Sequence, residues 1–535
     1  MSIDMRIKLV NPPVLGLKGH CSVIYLPQGL GILAAFLRNN DIYVNLEDLN
    51  ARLRGDVTNY RFRRLLKEVH MVSHHIRTTG YYTGISNEQN NILAGKLLDL
   101  MTIEEYDIIG IRINSLFQAL PAFLLAEKIK KESGKPIVIG GPYVTLYAQL
   151  FFERYDFIDF AIVGHGEVPL LKLVHYLNKK ERVQDVPSLW YRDRSQNIFT
   201  GRKFYNIETQ PCPDFDGLSL QLYKKFNKLT MPYSISRGCV SKCSFCIYGN
   251  IDGGWQCKSV EKVIKDVTFI KEKYKPDLFF FEDTNFNMSY KYVEELCDGF
   301  IKAGFCIPWI ARVQPRNIDN KLISKMKQAG CHKLEWGIES GSDKIQESIG
   351  KKPDQQKQVE ILRMAKEVGI INCIYLMVNY PYEMTDDLGK TALLLKNNAY
   401  LIDEVIIYDL YIFYGSDLFN NPEKYKIRIV KEKHSFFSYS YSFEETKREK
   451  SLIYNKKLKR MRGKIIDYNF RYILSKKSHF PYNIMLRLFG FTFQRSIIKL
   501  LSKIYFSEKL NKSVFVKNII SDWGIMMRRF SFFRF

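Results

Sequence analysis

Three cysteines fall within eight residues, in the run Ser236-Arg-Gly-Cys239-Val-Ser-Lys-Cys243-Ser-Phe-Cys246-Ile-Tyr-Gly249. Thiolates are the usual ligands of iron-sulfur clusters. A cubane of four irons takes four of them, so a compact loop that offers three leaves one iron without a protein ligand. An open coordination position is where metal chemistry takes place.

Other uses of cysteine fit this pattern less well. The remaining seven, Cys21, Cys212, Cys257, Cys297, Cys306, Cys331 and Cys373, are scattered and suit buried small apolar side chains. A structural zinc ribbon needs paired C-x2-C arms across a loop, and the sequence contains no second arm. A secreted disulfide framework calls for a short, cysteine-dense chain. Here there are 535 residues, and the opening Met1-Ser-Ile-Asp-Met-Arg-Ile-Lys lacks the apolar run of a signal peptide, so a cytoplasmic setting is expected.

The spacing C-x3-C-x2-C, with aromatic Phe245 directly before the third cysteine, resembles the signature of the radical S-adenosylmethionine (SAM) enzymes. That resemblance implies a 4Fe-4S cluster on Cys239, Cys243 and Cys246, its open iron chelated by the amino and carboxylate groups of SAM. It also implies a one-electron reductant, flavodoxin- or ferredoxin-like, as a partner.

The elements around the loop alternate as a β/α barrel would. A strand at Pro232–Ser236 leads into the cysteines, and an amphipathic helix follows at Ser259–Lys273. Strands are expected at Leu278–Phe281, Pro308–Val313, Lys333–Ile338, Asn372–Val378 and Glu404–Leu410. Helices separate them at Tyr290–Ala303, Asn320–Gln328, Gln355–Val368 and Asp387–Ala399. Six strands match the partial (β/α)6 barrel that the resemblance implies, and catalytic groups of barrels sit at the C-terminal strand ends.

By the same resemblance those ends cradle SAM. Glu282 and Asp283 follow the second strand, Arg312 ends the third, and Gly337-Ile-Glu-Ser-Gly341 places Glu339 and Ser340 at the end of the fourth. Acids at such positions also serve as caps and first-turn residues of the next helix. The fifth strand ends Asn379-Tyr-Pro-Tyr-Glu-Met-Thr385, with side chains where relatives carry glycines, and a narrower pocket is expected there. Tyr414-Gly-Ser-Asp-Leu418 resembles the closing turn of the family.

The N-terminal third reads as a second α/β unit. Arg6–Asn11 alternates and stops at Pro12-Pro13, Pro27–Arg38 has helical spacing, and Ile42–Leu46, Ile108–Ile113 and Ile137–Ile139 are short apolar strands. Strands alternating with helices argue for a Rossmann-like, doubly wound parallel sheet whose ligands lie beyond the carboxyl ends. Two glycine-rich loops follow strands there, Gly140-Gly-Pro-Tyr-Val-Thr145 and Ala161-Ile-Val-Gly-His-Gly-Glu167. The region from Met1 to about Thr200 is similar to the cobalamin-binding domain that precedes the barrel in one subgroup of the family. What the resemblance implies is a cobalamin contact set of Gly140, Gly141, Thr145, Gly164, Gly166 and Glu167. The Asp-x-His-x-x-Gly loop that brings an imidazole to cobalt elsewhere is absent, and His165 reads as a solvated loop residue. A Rossmann-like sheet without a cofactor is the competing reading.

Residues 205–229, with Pro211-Cys-Pro-Asp-Phe-Asp216, read as a linker, which divides the chain into 1–204, 205–229, 230–430 and 431–535. Charge is distributed unevenly. The chain carries a net +24, and from Thr446 to Phe535 there are 22 Lys and Arg against 4 Asp and Glu. Helical segments at 447–470 and 484–506, interleaved with aromatics, suggest a mostly helical basic domain. It could bind RNA, lie on an anionic membrane with a lipid substrate, or simply cap the barrel with a solvated face. No apolar run is long enough for a transmembrane helix.

Together these features predict a cobalamin-dependent radical SAM C-methyltransferase. Its alternatives are a cobalamin-independent, ring-forming or rearranging radical SAM enzyme, and a binding protein with a structural cluster. Additional clusters are not expected, because only Cys21 and Cys212 precede the loop and no cysteine follows Cys373.

Overall fold

The computed structural model describes residues 5–14, 25–55, 84–225, 227–431 and 439–443. All belong to the first of two compact units, Met1–Leu458 and Lys459–Phe535. The helices expected at 447–470 and 484–506, and with them the basic tail, lie outside the described residues.

The first sheet joins β1 (Arg6–Asn11), β2 (Tyr43–Asp48), β3 (Ile108–Arg112), β4 (Ile137–Gly140) and β5 (Phe160–Ile162) in the order β2-β1-β3-β4-β5. These five are parallel, and an antiparallel pair, β6 (Leu189–Asp193) and β7 (Gln196–Phe199), extends the β5 edge. The helices of this region are α1 (Gln28–Arg38), α2 (Leu49–Gly55), α3 (Glu88–Leu98), α4 (Leu116–Ser133), α5 (Pro142–Arg154) and α6 (Glu167–Leu177). A parallel sheet must be covered on both faces, and alternate residues of its apolar strands do this. Ile109, Ile111 and Ile139 belong to one core with Phe123 and Phe151, while Ile7, Leu9, Ile108 and Val138 belong to the other with Leu30 and Leu173. Chain order reverses between β1 and β3, and sheets of this order bind ligands at that switch point.

β1 has the bounds its alternation predicts, but β2 runs two residues past the expected Leu46. Its last residues are charged and buried, and partners make that tolerable: Glu47 lies 3.5 Å from Lys8, and Asp48 accepts from Tyr223 Oη at 2.7 Å.

The second sheet begins with β8 (Thr230–Tyr233), after which the two-residue β9 (Ser236–Arg237) pairs with β10 (Gln256–Cys257) around α7 (Tyr248–Ile251). Then come α8 (Val260–Tyr274), β11 (Leu278–Phe281), α9 (Tyr290–Lys302), β12 (Trp309–Val313), α10 (Asn320–Gln328), β13 (Cys331–Glu339), α11 (Asp343–Ile349), α12 (Gln355–Glu367), β14 (Ile371–Val378), α13 (Thr385–Asn397) and β15 (Glu404–Asp409). Neighbours run β8-β11-β12-β13-β14-β15, every pair parallel. Side chains of Ser259, Ser289, Asp319 and Asp354 cap the helices α8, α9, α10 and α12, which fixes where each starts.

After a short α14 (Asp417–Asn420), β16 (Ile427–Lys431) pairs antiparallel with β17 (Tyr439–Phe443). The strand Tyr439–Phe443 falls in the segment 431–535 expected to be mostly helical, and the rest of that segment lies outside the described residues. The run Tyr439-Ser-Tyr-Ser-Phe443 alternates with a period of two, the strand signal, and its partner β16 begins before the expected boundary.

Candidate active site

The cysteine loop leaves β9 and is braced by successive strand ends. Asp283, just past β11, is 2 % exposed. It accepts from the N–H of Ile235 (3.2 Å), the N–H of Ser236 (2.6 Å) and the Ser236 hydroxyl (2.5 Å). Burial pushes its carboxyl up to about 6. Thr284 donates Oγ1 to the Gly238 carbonyl at 2.7 Å. Gly238 has φ +79°, and a Cβ there would lie 1.9 Å from the Gly254 carbonyl oxygen, so the turn into Cys239 demands glycine. Beyond β12, Gln314 Nε2 and Arg316 Nη2 donate to Ser241 Oγ at 3.2 and 2.5 Å.

The opposite side of the loop rests on β14 and the closing turn. The Ser244 N–H donates to the Ile349 carbonyl at 2.9 Å, and its hydroxyl meets Tyr380 Oη at 2.6 Å. Tyr380 donates onward to the Ser348 carbonyl (2.7 Å), and the Leu418 N–H donates to the Ser244 carbonyl (3.0 Å). Cys243 and Phe245 pack against an apolar cluster that includes Ile349, Met377, Tyr380 and Leu418. The non-glycine residues after β14 therefore have a purpose beyond narrowing a pocket. Asn379 and Tyr382 take left-handed backbone angles that put Tyr380 under the cysteine loop.

The three thiols are partly buried and lie close enough for each of Cys243 and Cys246 to feel the charge of its neighbours. Burial raises both, Cys246 to about 11, so binding a metal centre must displace protons. Cys239 Sγ accepts from the Ser241 N–H at 3.4 Å, and the Tyr248 N–H bonds to Cys246. Among the described residues no three His, Cys, Asp or Glu side chains are drawn together as tightly as a bound ion holds them. The donor set itself, three thiols on one braced loop with N–H groups aimed at sulfur, fits an iron-sulfur cluster.

Several residues expected to contact SAM have partners within the protein. Asp283 is saturated by the strand it pins. Ser340 is 1 % exposed, and its hydroxyl lies 3.3 Å from Thr391 Oγ1 and accepts from the Ser342 N–H. Glu339, with φ +68°, pairs with Lys351 at 3.0 Å. Arg312 Nε lies 3.7 Å from Glu335, and its guanidinium stacks 4.6 Å above the Phe280 ring. Glu335 in turn meets Tyr375 and, at 3.1 Å, Lys333. The polar interior of the sheet claims these groups because each needs a partner once buried. Glu282 differs: its carboxylate has no hydrogen bond or ion pair among the described residues. Burial raises it, while the charges of Arg312 and Arg112 act in the opposite sense.

A cleft of about 270 Å³ opens beyond the carboxyl ends of β3, β4 and β5. It brings together all six residues expected on the glycine-rich loops: Gly140, Gly141, Thr145, Gly164, Gly166 and Glu167. A Cβ on Gly141 would lie 2.7 Å from the Ile113 carbonyl oxygen, so backbone alone forms this wall. Thr145 Oγ1 accepts from the Gly164 N–H at 2.9 Å and ties the two loops together.

Glu167 lines the cleft, but its carboxylate accepts from Arg237 at 3.1 Å and from Gln210 at 2.7 Å. Burial resists its ionisation, yet Arg237, His165 and the Gln210 bond outweigh this and hold it below the usual range. His165 is buried rather than solvated, as the sequence had suggested, because α6 and the cysteine-loop segment fold over it; Asp252 Oδ1 lies 3.5 Å away. Arg237, Ile251 and Asp252 complete the lining, so cleft and cysteine loop share a wall.

Arg112, Asn114, Thr284, Gln314 and Tyr380 were not singled out from sequence. Arg112 ends β3 in the cleft and has no hydrogen bond or ion pair among the described residues; burial lowers it, opposed by Glu282 and Asp48. The Asn114 Oδ1 is buried without a partner. Polar residues immediately after an apolar strand were the available signal for both. Orphaned polar atoms beside a backbone-lined wall fit a large ligand that brings its own hydrogen-bonding groups.

Residues 233–395 match the model of the radical SAM superfamily. They form a radical SAM domain. An uncharacterized methyltransferase of Pyrococcus horikoshii is 27 % identical over 298 residues, which cover 54 % of this chain and 64 % of that protein. The chain spans about half to two thirds of the length of the curated relatives it matches. Among solved structures, the cobalamin-dependent SAM radical enzyme OxsB, with aqua-cobalamin and SAM bound, aligns with a TM-score of 0.64 at 18 % identity over 98 % of this chain and 76 % of its own. The radical SAM methyltransferase TsrM of Kitasatospora setae, with cobalamin and a [4Fe-4S] cluster bound, gives 0.60 at 14 % identity over 81 % of each chain. At these identities the likeness is one of fold. No helix among the described residues is long and apolar enough to cross a membrane.

Proposed function

We propose that the chain is a cobalamin-dependent radical SAM enzyme that methylates an unactivated carbon. In this reading the six-stranded sheet is the partial (β/α)6 barrel, the N-terminal sheet is the cobalamin domain, and 205–229 links them. The basic segment after 430 supplies a further domain for an acidic substrate, RNA or a lipid surface. The observation that carries the proposal is the shared wall: the cysteine loop and the backbone-lined cleft meet at Arg237, Ile251 and Asp252, so groups held on each side face one reaction space.

When bound, a 4Fe-4S cluster supplies the electron that cleaves SAM to methionine and a 5′-deoxyadenosyl radical, and cobalamin supplies a carrier for the methyl group. Cys239, Cys243 and Cys246 hold the cluster in this account. Glu282, which burial raises against the opposing charges of Arg312 and Arg112, has a carboxylate without a partner among the described residues, and it would receive the ammonium group of SAM. Arg312, Glu335 and Lys333 form one linked array, with Phe280 stacked on Arg312 and Tyr375 bonded to Glu335, which would hold Arg312 in place. Asp283, Thr284, Gln314 and Tyr380 act by fixing the loop. Gly140, Gly141 and Thr145 shape the cleft for the corrin. Such a cluster needs a one-electron donor of flavodoxin or ferredoxin type and the reducing conditions of the cytoplasm.

The test is anaerobic reconstitution followed by incubation with SAM and reductant, with and without hydroxocobalamin. The proposal expects 5′-deoxyadenosine and near-stoichiometric cobalamin retention. Iron bound without SAM cleavage would refute the catalytic role; cleavage with no cobalamin uptake would refute the cobalamin assignment alone.

A further inference from the structure

The loop that carries the three thiols also presents a cationic surface with an apolar centre. Val240, directly after Cys239, is 64 % exposed, more than any other large apolar side chain among the described residues. Alone, such a side chain is ordinary, but this one is set among cations. Lys242, two residues on, is exposed as well. Exposed Arg316, beyond β12, is held against the loop by its bond to Ser241 Oγ at 2.5 Å. Gly350, after α11, comes so close that a Cβ there would lie 2.9 Å from the Lys242 carbonyl oxygen, and exposed Lys352 follows it.

Nearby acids do not cancel this charge. Glu339 is taken by Lys351 at 3.0 Å. Asp319 accepts from Tyr290 Oη at 3.0 Å and from the Leu322 N–H at 2.8 Å. Glu347 on α11 stays exposed, against the three cations Lys242, Arg316 and Lys352. The other sides of the loop are covered, by Thr284 under Gly238, by Tyr380 and Ile349 at Ser244, and by the cleft wall that begins at Arg237. An electron for a metal centre on this loop arrives from outside the chain, and its transfer slows steeply with distance, so the donor must approach the exposed edge. Cations around an apolar centre speed the encounter with an anionic protein and keep its affinity modest, as a transient electron-transfer contact requires.

We propose that Val240, Lys242, Arg316 and Lys352 form the docking surface for an acidic one-electron carrier protein. Val240 meets the apolar rim of the carrier's redox group, and the cations meet its carboxylates. The proposal rests on the radical SAM reading and adds to it the face by which the donor is recognised. One electron passes from the reduced carrier to the oxidised cluster, so the carrier is oxidised by one electron and no covalent bond is made or broken.

The test uses the reconstituted full chain and two reductants: an acidic flavodoxin, and reduced methyl viologen, a small cation that needs no docking face. Titration of flavodoxin against the immobilised chain gives Kd, and bleaching of the cluster absorbance gives the rate of reduction. Wild-type affinity should fall about tenfold between roughly 0.05 and 0.3 M salt. Lys352→Glu combined with Lys242→Glu, and separately Val240→Asp, should weaken flavodoxin binding and slow reduction by it about tenfold. Iron content should stay the same, and reduction by viologen should not slow. Lys180→Glu, after α6, controls for net charge and should behave as wild type. Wild-type affinity in the Lys242/Lys352 pair, or a loss no larger than that of Lys180→Glu, would overturn the proposal. So would equal slowing with viologen, which would place the defect in the cluster itself. A wild-type chain that binds iron but is reduced by neither donor would instead refute the parent reading, and this one with it.

Discussion

Replacing Glu167 or Arg237 should loosen the cysteine loop from a distance. Arg237 stands two residues before Cys239, and its Nη2 lies 3.1 Å from Glu167 Oε1 with side chains 25 % and 12 % exposed. At that separation and an effective dielectric near 20, the gross attraction is about 5 kcal/mol. Leaving one partner of a fully buried pair uncompensated costs ~3–5 kcal/mol. Because a quarter of Arg237 is exposed and water screens it, ~2 kcal/mol is the expected cost of Glu167→Gln or Arg237→Gln. A loss of that size lowers Tm by ~4–8 °C in a domain of this scale. In a double-mutant cycle the two changes should overlap, giving a coupling of about 1.5 kcal/mol. Urea unfolding of the four apo proteins measures it, and iron release to a chelator reports the loop itself. Glu167 titrates below its ordinary value of 4.5 in the fold, so its contribution is complete above that pH and fades as pH falls through the lowered value. Glu167→Gln should abolish that fade. Additive mutants, with coupling below ~0.5 kcal/mol and unchanged iron release, would refute the proposed coupling between cleft and loop.

Three further outcomes are expected. Lys258 is fully buried, donates to Tyr233 Oη at 3.1 Å, and burial lowers its ammonium to about 8. The unfolded chain binds that proton up to 10.5, so the wild type should gain up to ~3 kcal/mol of stability as pH rises from 8 to 10.5, and Lys258→Met should lose that gain; a variant with the same pH dependence contradicts this. Gly238→Ala should yield a chain that folds poorly or binds little iron, as its Cβ would strike the Gly254 carbonyl; full iron content would disprove that geometry. Tyr380→Phe removes bonds to Ser244 and Ser348 and should cost ~1–2 kcal/mol with faster iron loss, measured by thermal unfolding and chelation. Unchanged iron release would mean that Tyr380 does not brace the loop.

Local patterns carried much of the architecture. Arg6–Asn11, Leu278–Phe281 and Asn320–Gln328 have their expected bounds, because apolar periodicity and side-chain caps act within one element. The cysteine trio and the glycine-rich loops were legible for the same reason. What the sequence could not show was how each polar group at a strand end is spent. Asp283 and Glu282 are neighbours of one chemical type, yet one is consumed by Ser236 and the other has no partner among the described residues. That distinction depends on residues some fifty positions away. The burial of His165 and the service of Tyr380 under the loop likewise arise from contacts between distant segments, as does the pairing of Tyr439–Phe443 with β16.

The central claim is that Cys239, Cys243 and Cys246 carry a cluster with one iron open to SAM. Low-temperature electron paramagnetic resonance of the reduced, anaerobically reconstituted protein, with and without SAM, tests it most directly. About four irons per chain and a cluster signal whose shape changes on adding SAM, both lost in Cys243→Ala, are the expected result. An iron-free protein, or a signal indifferent to SAM or to loss of Cys243, would contradict the account.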